Sequence, residues 1–176
     1  MRVRDAIMNT GIPVNNDRLM VGVLGNRNSG KSHTWNMLFG RTVRTGGEPR
    51  LLTLRPGERV EVFLVSGSPE ERQLYVDKIL AGQNCRIVLC SMQYVANVQR
   101  TLDYFIHNHF ALRVQWLNPG FSDPGPVADD LGLVDTILGT RQSTVSLRDG
   151  TQDARPRVQE IREVIHGWAL YRDLIL

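Results

Sequence analysis

Gly25-Asn26-Arg27-Asn28-Ser29-Gly30-Lys31-Ser32 is the segment of the chain in which residue type and spacing together specify a chemistry. The two glycines let bare backbone N–H groups curl around an anion. A lysine directly after the second glycine brings a cation to it, and the next residue adds a hydroxyl, a hard oxygen donor suited to Mg²⁺. The expected ligand is a nucleoside triphosphate with its β-phosphate against the 25–32 backbone, Lys31 bridging the β- and γ-phosphates and Ser32 on Mg²⁺. His33, next along, is placed to shape the α-phosphate or ribose side. Of 21 basic residues only Lys31 and Lys78 are lysines. The choice at position 31 has a reason, since a compact ammonium fits where a forked guanidinium does not.

A phosphate loop works only if a strand delivers it and a helix begins in it. Residues 19–24 read Leu-Met-Val-Gly-Val-Leu, a short apolar run suited to a strand buried on both faces. Residues 31–39 place Trp35, Leu38 and Phe39 at helical spacing, with Gly40 set to stop the helix. Residues 41–49 lack periodicity and carry glycine and proline, which predicts an exposed, mobile loop. Strands follow over 50–54 and 59–65, joined by Arg55-Pro56-Gly57-Glu58, in which proline fixes one φ and glycine supplies the positive φ of a type II turn. Ser68-Pro69-Glu70-Glu71 has the form of a capping box and predicts a helix running to Gly82.

Beyond it, strands over 86–90, 112–117 and 143–147 alternate with helices over 93–108, 127–138 and 156–174. The last helix is amphipathic through Val158, Ile161, Val164, Ile165, Trp168 and Tyr171. This order predicts an α/β fold of three layers, α/β/α, around a mostly parallel sheet carrying one antiparallel hairpin strand. The nucleotide-binding domain fills 18–176, and 1–17 is a lead-in able to add an edge strand or a short helix.

Composition excludes several classes. Hydrophobic residues make up 41% and charged residues 22% of 176, enough to build a core and stay in solution. No apolar run approaches a membrane span, and no signal-type stretch follows Met1, so no membrane association is expected and the cytoplasm is the default compartment. A formal charge of +3 is too small an excess to imply nucleic acid. Cys85 and Cys90 form no CxxC and have no histidine at metal-ligand spacing, which argues against a disulfide framework or structural zinc.

The loop and the element order around it resemble a P-loop NTPase. The layout is similar to a Ras-like GTPase domain, and Lys31-Ser32 followed by Asn36, Leu38 and Gly40 resembles the first helix of the translation-factor-related members. The resemblance implies GTP or ATP as ligand, Mg²⁺ as cofactor and slow hydrolysis as a molecular switch. This chain departs from the family at three places. Where the hairpin's second strand would end in a metal-shell aspartate, Val65 is followed by Ser66-Gly67-Ser68-Pro69, and the other strand able to carry that acid ends in Leu89-Cys90-Ser91. The metal is then left to Ser32, water and a loop threonine, Thr42 or Thr45. Where the family reads guanine with Asn-Lys-x-Asp, this chain has Asn118-Pro119-Gly120-Phe121; Asn118 matches, and Asp123 is the next carboxylate. No glutamine follows Ser66 to position water, where Pro69 and Glu70 stand instead.

Glu70 and Glu71 are candidates for orienting the attacking water, although the capping box accounts for Glu71 and Glu70 also suits a helix N-terminus. Arg27, Arg41 and Arg44 are either phosphate-facing arginines or solvated charges. Two further readings remain: a P-loop ATPase or small kinase, and a nucleotide-binding assembly module without turnover. A surplus of apolar residues at the chain end, Leu170, Tyr171, Leu174, Ile175 and Leu176 beside Trp168, makes the last helix a candidate face for a homodimer or a protein partner.

Overall fold

The computed structural model describes residues 17–123 and 125–176. The expected lead-in over 1–17 therefore lies, apart from Asp17, outside the described residues. Six strands form one sheet in the order β2-β3-β4-β1-β5-β6. They are β1 (Arg18–Gly25), β2 (Arg50–Arg55), β3 (Glu58–Val65), β4 (Ile87–Gln93), β5 (Phe110–Leu117) and β6 (Thr144–Arg148). The β2/β3 pair is antiparallel and every other pair parallel. Gly57 takes φ 79°, as the turn between β2 and β3 requires.

The helices are α1 (Lys31–Phe39), α2 (Pro69–Arg72), α3 (Val76–Ile79), α4 (Val98–His107), α5 (Leu133–Leu138) and α6 (Arg155–Leu170). Alternation along β1 divides the core. Leu19, Val21 and Val23 pack with Trp35 and Leu38 of α1 and Ile161 and Ile165 of α6. Met20 and Leu24 pack with Val76 of α3, Leu102 and Phe105 of α4 and Ile137 of α5. Helices thus cover both faces of the sheet, an arrangement compatible with three layers. Among the described residues no helix is long and apolar enough to cross a membrane.

Several elements differ from the sequence expectation, each for a tertiary reason. The single helix over 68–82 is two one-turn pieces, because Gln73 enters the left-handed region at φ 51° and Leu74 and Tyr75 face solvent between them. The capping box does not form: Ser68 Oγ is buried without a partner and caps nothing. Strand β4 runs on to Gln93, and Tyr94 stacks on Trp116 with ring centroids 4.9 Å apart, so α4 starts only at Val98. The helix over 127–138 shrinks to α5, where Gly132 turns left-handed and the Asp129 carboxylate accepts from the N–H groups of Leu133 and Val134.

The loop over 41–49 is anchored rather than free. Val43 is buried in the core with its N–H on Asn36 Oδ1, and Thr45 Oγ1 accepts from Ser66 N–H. Helix α6 ends at Leu170 and the chain turns back. Leu174 and Ile175 pack on the core, and Leu176 exchanges two backbone hydrogen bonds with Arg59. Part of the apolar surplus at the chain end is therefore consumed internally, leaving Leu170, Tyr171 and Leu176 exposed.

Candidate functional site

The glycine loop leaves β1 at Gly25 and enters α1 at Lys31. Two of its residues, Asn28 at φ 57° and Gly30 at φ 105°, are left-handed, the backbone arrangement that turns N–H groups toward a common centre. At Gly25 a Cβ would lie 2.3 Å from Ser29 Oγ, so a side chain there breaks the turn. Neither a side-chain cap nor an acidic residue occupies the start of α1. The N–H groups of its first turn, at the positive end of the helix dipole, are left for an external acceptor.

Lys31 curls back into its own loop, where Nζ donates to Asn26 O at 2.7 Å and to Gly25 O at 3.2 Å. Burial lowers its pKa, while Glu71, Glu70 and Asp123 oppose that fall; the Glu71 carboxylate stands 3.8 Å away.

Two other loops press on this one. Phe121 N–H, after β5, donates to Ser29 O at 3.0 Å, and Gly150 N–H, after β6, donates to Pro119 O at 2.7 Å. Together they bound a cleft of about 1000 Å³ lined by residues 27–33, Glu71, Gln93, Phe121, the 150–154 loop and Arg157.

Seven of the predicted site residues, Arg27, Asn28, Ser29, Gly30, Lys31, Ser32 and His33, line that cleft together. Gly25 and Asn26 hold Lys31 through their carbonyls. The remaining candidates are engaged elsewhere. Strand β4 stands between β1 and β3, so the hairpin end at Ser66 is one strand removed from the glycine loop, and Ser66 is hydrogen-bonded to Thr45. The neighbour of Gly25 in the sheet is Gln93. Asn118 spends its amide on the backbone of Val127, donating to its carbonyl at 2.8 Å and accepting from its N–H at 2.7 Å. Asp123 accepts from Gly120 N–H.

Glu70 is buried, accepting from Thr101 Oγ1 and from Gln93 N–H. Gln93, the 150–154 loop and Arg157 line the cleft without a signal in the sequence, and Glu71, which fits a capping box by spacing, stands there by Lys31.

Burial raises the Glu70 pKa, with the Thr101 and Gln93 hydrogen bonds opposing it. A carboxyl with a raised folded-state pKa favours folding below its unfolded value, here 4.5, and that contribution is lost as pH rises through the folded value. Glu70→Gln keeps an acceptor for Gln93 N–H and offers a donor to Thr101. Its melting temperature relative to wild type should therefore climb as pH is raised from about 4.5 toward neutrality. A difference that stays flat with pH would show that Glu70 titrates alike in both states.

The oxygen donors that line the cleft include the Ser32 hydroxyl, the Gln93 amide and the Glu71 carboxylate, the last 3.8 Å from Lys31. That set fits Mg²⁺, which keeps most of its waters and takes one or two protein oxygens next to phosphate. Among the described residues no three His, Cys, Asp or Glu side chains converge into an all-protein metal cage. No family model matches the chain, and no curated protein matches it.

Proposed function

We propose that the chain is a P-loop NTPase domain that binds GTP or ATP with Mg²⁺ in this cleft and hydrolyses it slowly, as a switch. The observation that supports the reading most is the uncapped start of α1 behind a loop with left-handed residues that holds a buried lysine. Such a loop concentrates positive potential where a pyrophosphate fits. On binding, Lys31 exchanges its own loop carbonyls for phosphate oxygens, and Ser32 and Glu71 are the residues that would hold the metal. Mg²⁺, when present, neutralises charge spread over the β- and γ-oxygens.

Turnover is slow because the residues expected to position water, Glu70 and Ser66, do not line the cleft. Glu70 is locked between Thr101 and Gln93, the Thr45 hydroxyl accepts from the Ser66 backbone N–H, and of Glu70, Glu71, Thr45 and Ser66 it is Glu71 that lines the cleft with Lys31 and Ser32. Base discrimination is weak for a similar reason, since the Asn118 amide is used on Val127 and Phe121, 69% exposed, offers a stacking face without a carboxylate.

Competition between ATP and GTP for the wild-type protein tests this reading. The two should displace a labelled nucleotide within about tenfold of each other, near 1.4 kcal/mol, and phosphate release should run at about 10⁻³ s⁻¹ or below. A hundredfold preference for one base would reveal a base-reading group elsewhere in the cleft. Fast transfer to an added acceptor would favour the kinase reading, and binding without any phosphate release would favour the assembly module.

A further inference from the structure

Arg157, in the first turn of α6, turns inward instead of toward solvent and is 4% exposed. It reaches the glycine loop from the β5 side, where Gln115 donates to its backbone carbonyl. Glu71 reaches the same loop from the other side, since its neighbour Glu70 is bonded to Gln93 of β4. One Arg157 nitrogen, Nη2, lies 3.5 Å from where a Gly30 Cβ would be. The other, Nη1, donates to Thr34 Oγ1, whose hydroxyl donates in turn to Gly30 O at 2.9 Å. Nε is buried, with no acceptor among the described residues.

Among the described residues no carboxylate forms an ion pair with this guanidinium. The acids nearest in sequence serve other arginines, Asp153 with Arg155, Glu160 with Arg148 and Glu163 with Arg55. A desolvated guanidinium is costly unless an anion completes it, and its planar donors suit phosphate oxygens. Arg157 lines the cleft, as the 150–154 loop does.

We infer that Arg157 is a second phosphate-recognising cation of this site. It holds the phosphate adjacent to the one on Lys31, so that the preferred ligand carries at least two linked phosphates. This rests on the nucleotide-binding reading above and adds to it a recognising residue that the loop motif does not contain.

The test uses a fluorescent nucleoside diphosphate with Mg²⁺, titrated into wild type, Arg157→Gln, Arg157→Lys and Thr34→Val, with ligand-free melting curves of each. Arg157→Gln should bind about tenfold or more weakly, the loss expected when a charge-assisted hydrogen bond is removed. Arg157→Lys should fall between Arg157→Gln and wild type. Thr34→Val, which removes the hydroxyl under Arg157 but not the cation, should bind close to wild type. Equal affinity of Arg157→Gln and wild type overturns the inference, and so do equal losses in Arg157→Gln and Thr34→Val, which would make the arginine a prop for Thr34. Should Arg157→Gln not fold, Arg157→Lys decides alone, with wild-type affinity overturning the inference. Failure of wild type to bind any nucleotide removes the nucleotide-binding reading itself.

Discussion

Lys31→Ala is expected to leave a folded protein that binds nucleotide more than about a hundredfold less tightly, close to 2.7 kcal/mol. The loss is large because Lys31 is the cation at the centre of the loop, and few other positive charges line the cleft. The fold should survive because the ammonium is buried at a cost. Desolvation lowers its pKa, and its partners are two carbonyls of the loop itself, with the Glu71 carboxylate farther off at 3.8 Å. The carboxylate left behind, Glu71, is 31% exposed, so its charge is screened by solvent once the ammonium is gone. The variant's melting temperature should therefore stay within a few degrees of wild type in the absence of ligand. Only the wild type should gain thermal stability when nucleotide and Mg²⁺ are added, as mass action requires of a ligand that binds the folded state. Equal ligand-induced shifts in the two proteins would sink the assignment of the glycine loop as the binding site.

What the sequence made legible was local. The glycine loop, the strand before it and the helix after it are specified within about two dozen consecutive residues by apolar pattern, left-handed glycine and helix stop. The structure places β1, the loop and α1 there. The antiparallel hairpin was equally local, since Pro56-Gly57 encodes its turn. The failures arose where a side chain has a better partner far away in sequence. Ser68 and Glu71 satisfy the capping pattern, yet Ser68 Oγ caps nothing and Glu71 stands by Lys31. Glu70 is drawn into the interior by Thr101, 31 residues on. Asn118 looks like a base reader by position and acts as a clamp on Val127. Arg157 carried no signal, because an arginine on an amphipathic helix ordinarily reads as solvent-facing and only the packing of α6 against α1 turns it inward. Strand order is not legible in the sequence either. A pattern of strands and helices does not say that β4 inserts between β1 and β3, which makes Gln93 rather than Ser66 the neighbour of the glycine loop.

Gly150→Ala should cost both stability and affinity, although the residue precedes no motif and needs no unusual backbone angle. Its importance is distance. A Cβ on Gly150 would meet Ser29 O at 2.8 Å, and Gly120 Cα and Phe121 N at 3.1 Å each. All three are backbone atoms, so no flexible side chain can swing aside to make room. Two of the three contacts belong to the 120–121 segment that is itself hydrogen-bonded to Ser29. Relief therefore has to come from moving the glycine loop or the loops stacked on it. Overpacking of this kind costs about 1–3 kcal/mol, and a shift of the loop N–H groups by a fraction of an ångström misaligns them for phosphate. Nucleotide affinity should fall about tenfold or more, since several short hydrogen bonds depend on the same backbone. Gly167→Ala provides the contrast. That glycine lies inside α6 with nothing within 4 Å of the added methyl group. Helix propensity then acts alone, giving a gain of about 0.5–1 kcal/mol with unchanged binding. Denaturant unfolding and nucleotide titration of the two variants side by side make the comparison. If Gly150→Ala behaved like Gly167→Ala in both, the three loops would not be in contact as described, and the cleft they form would have a different shape.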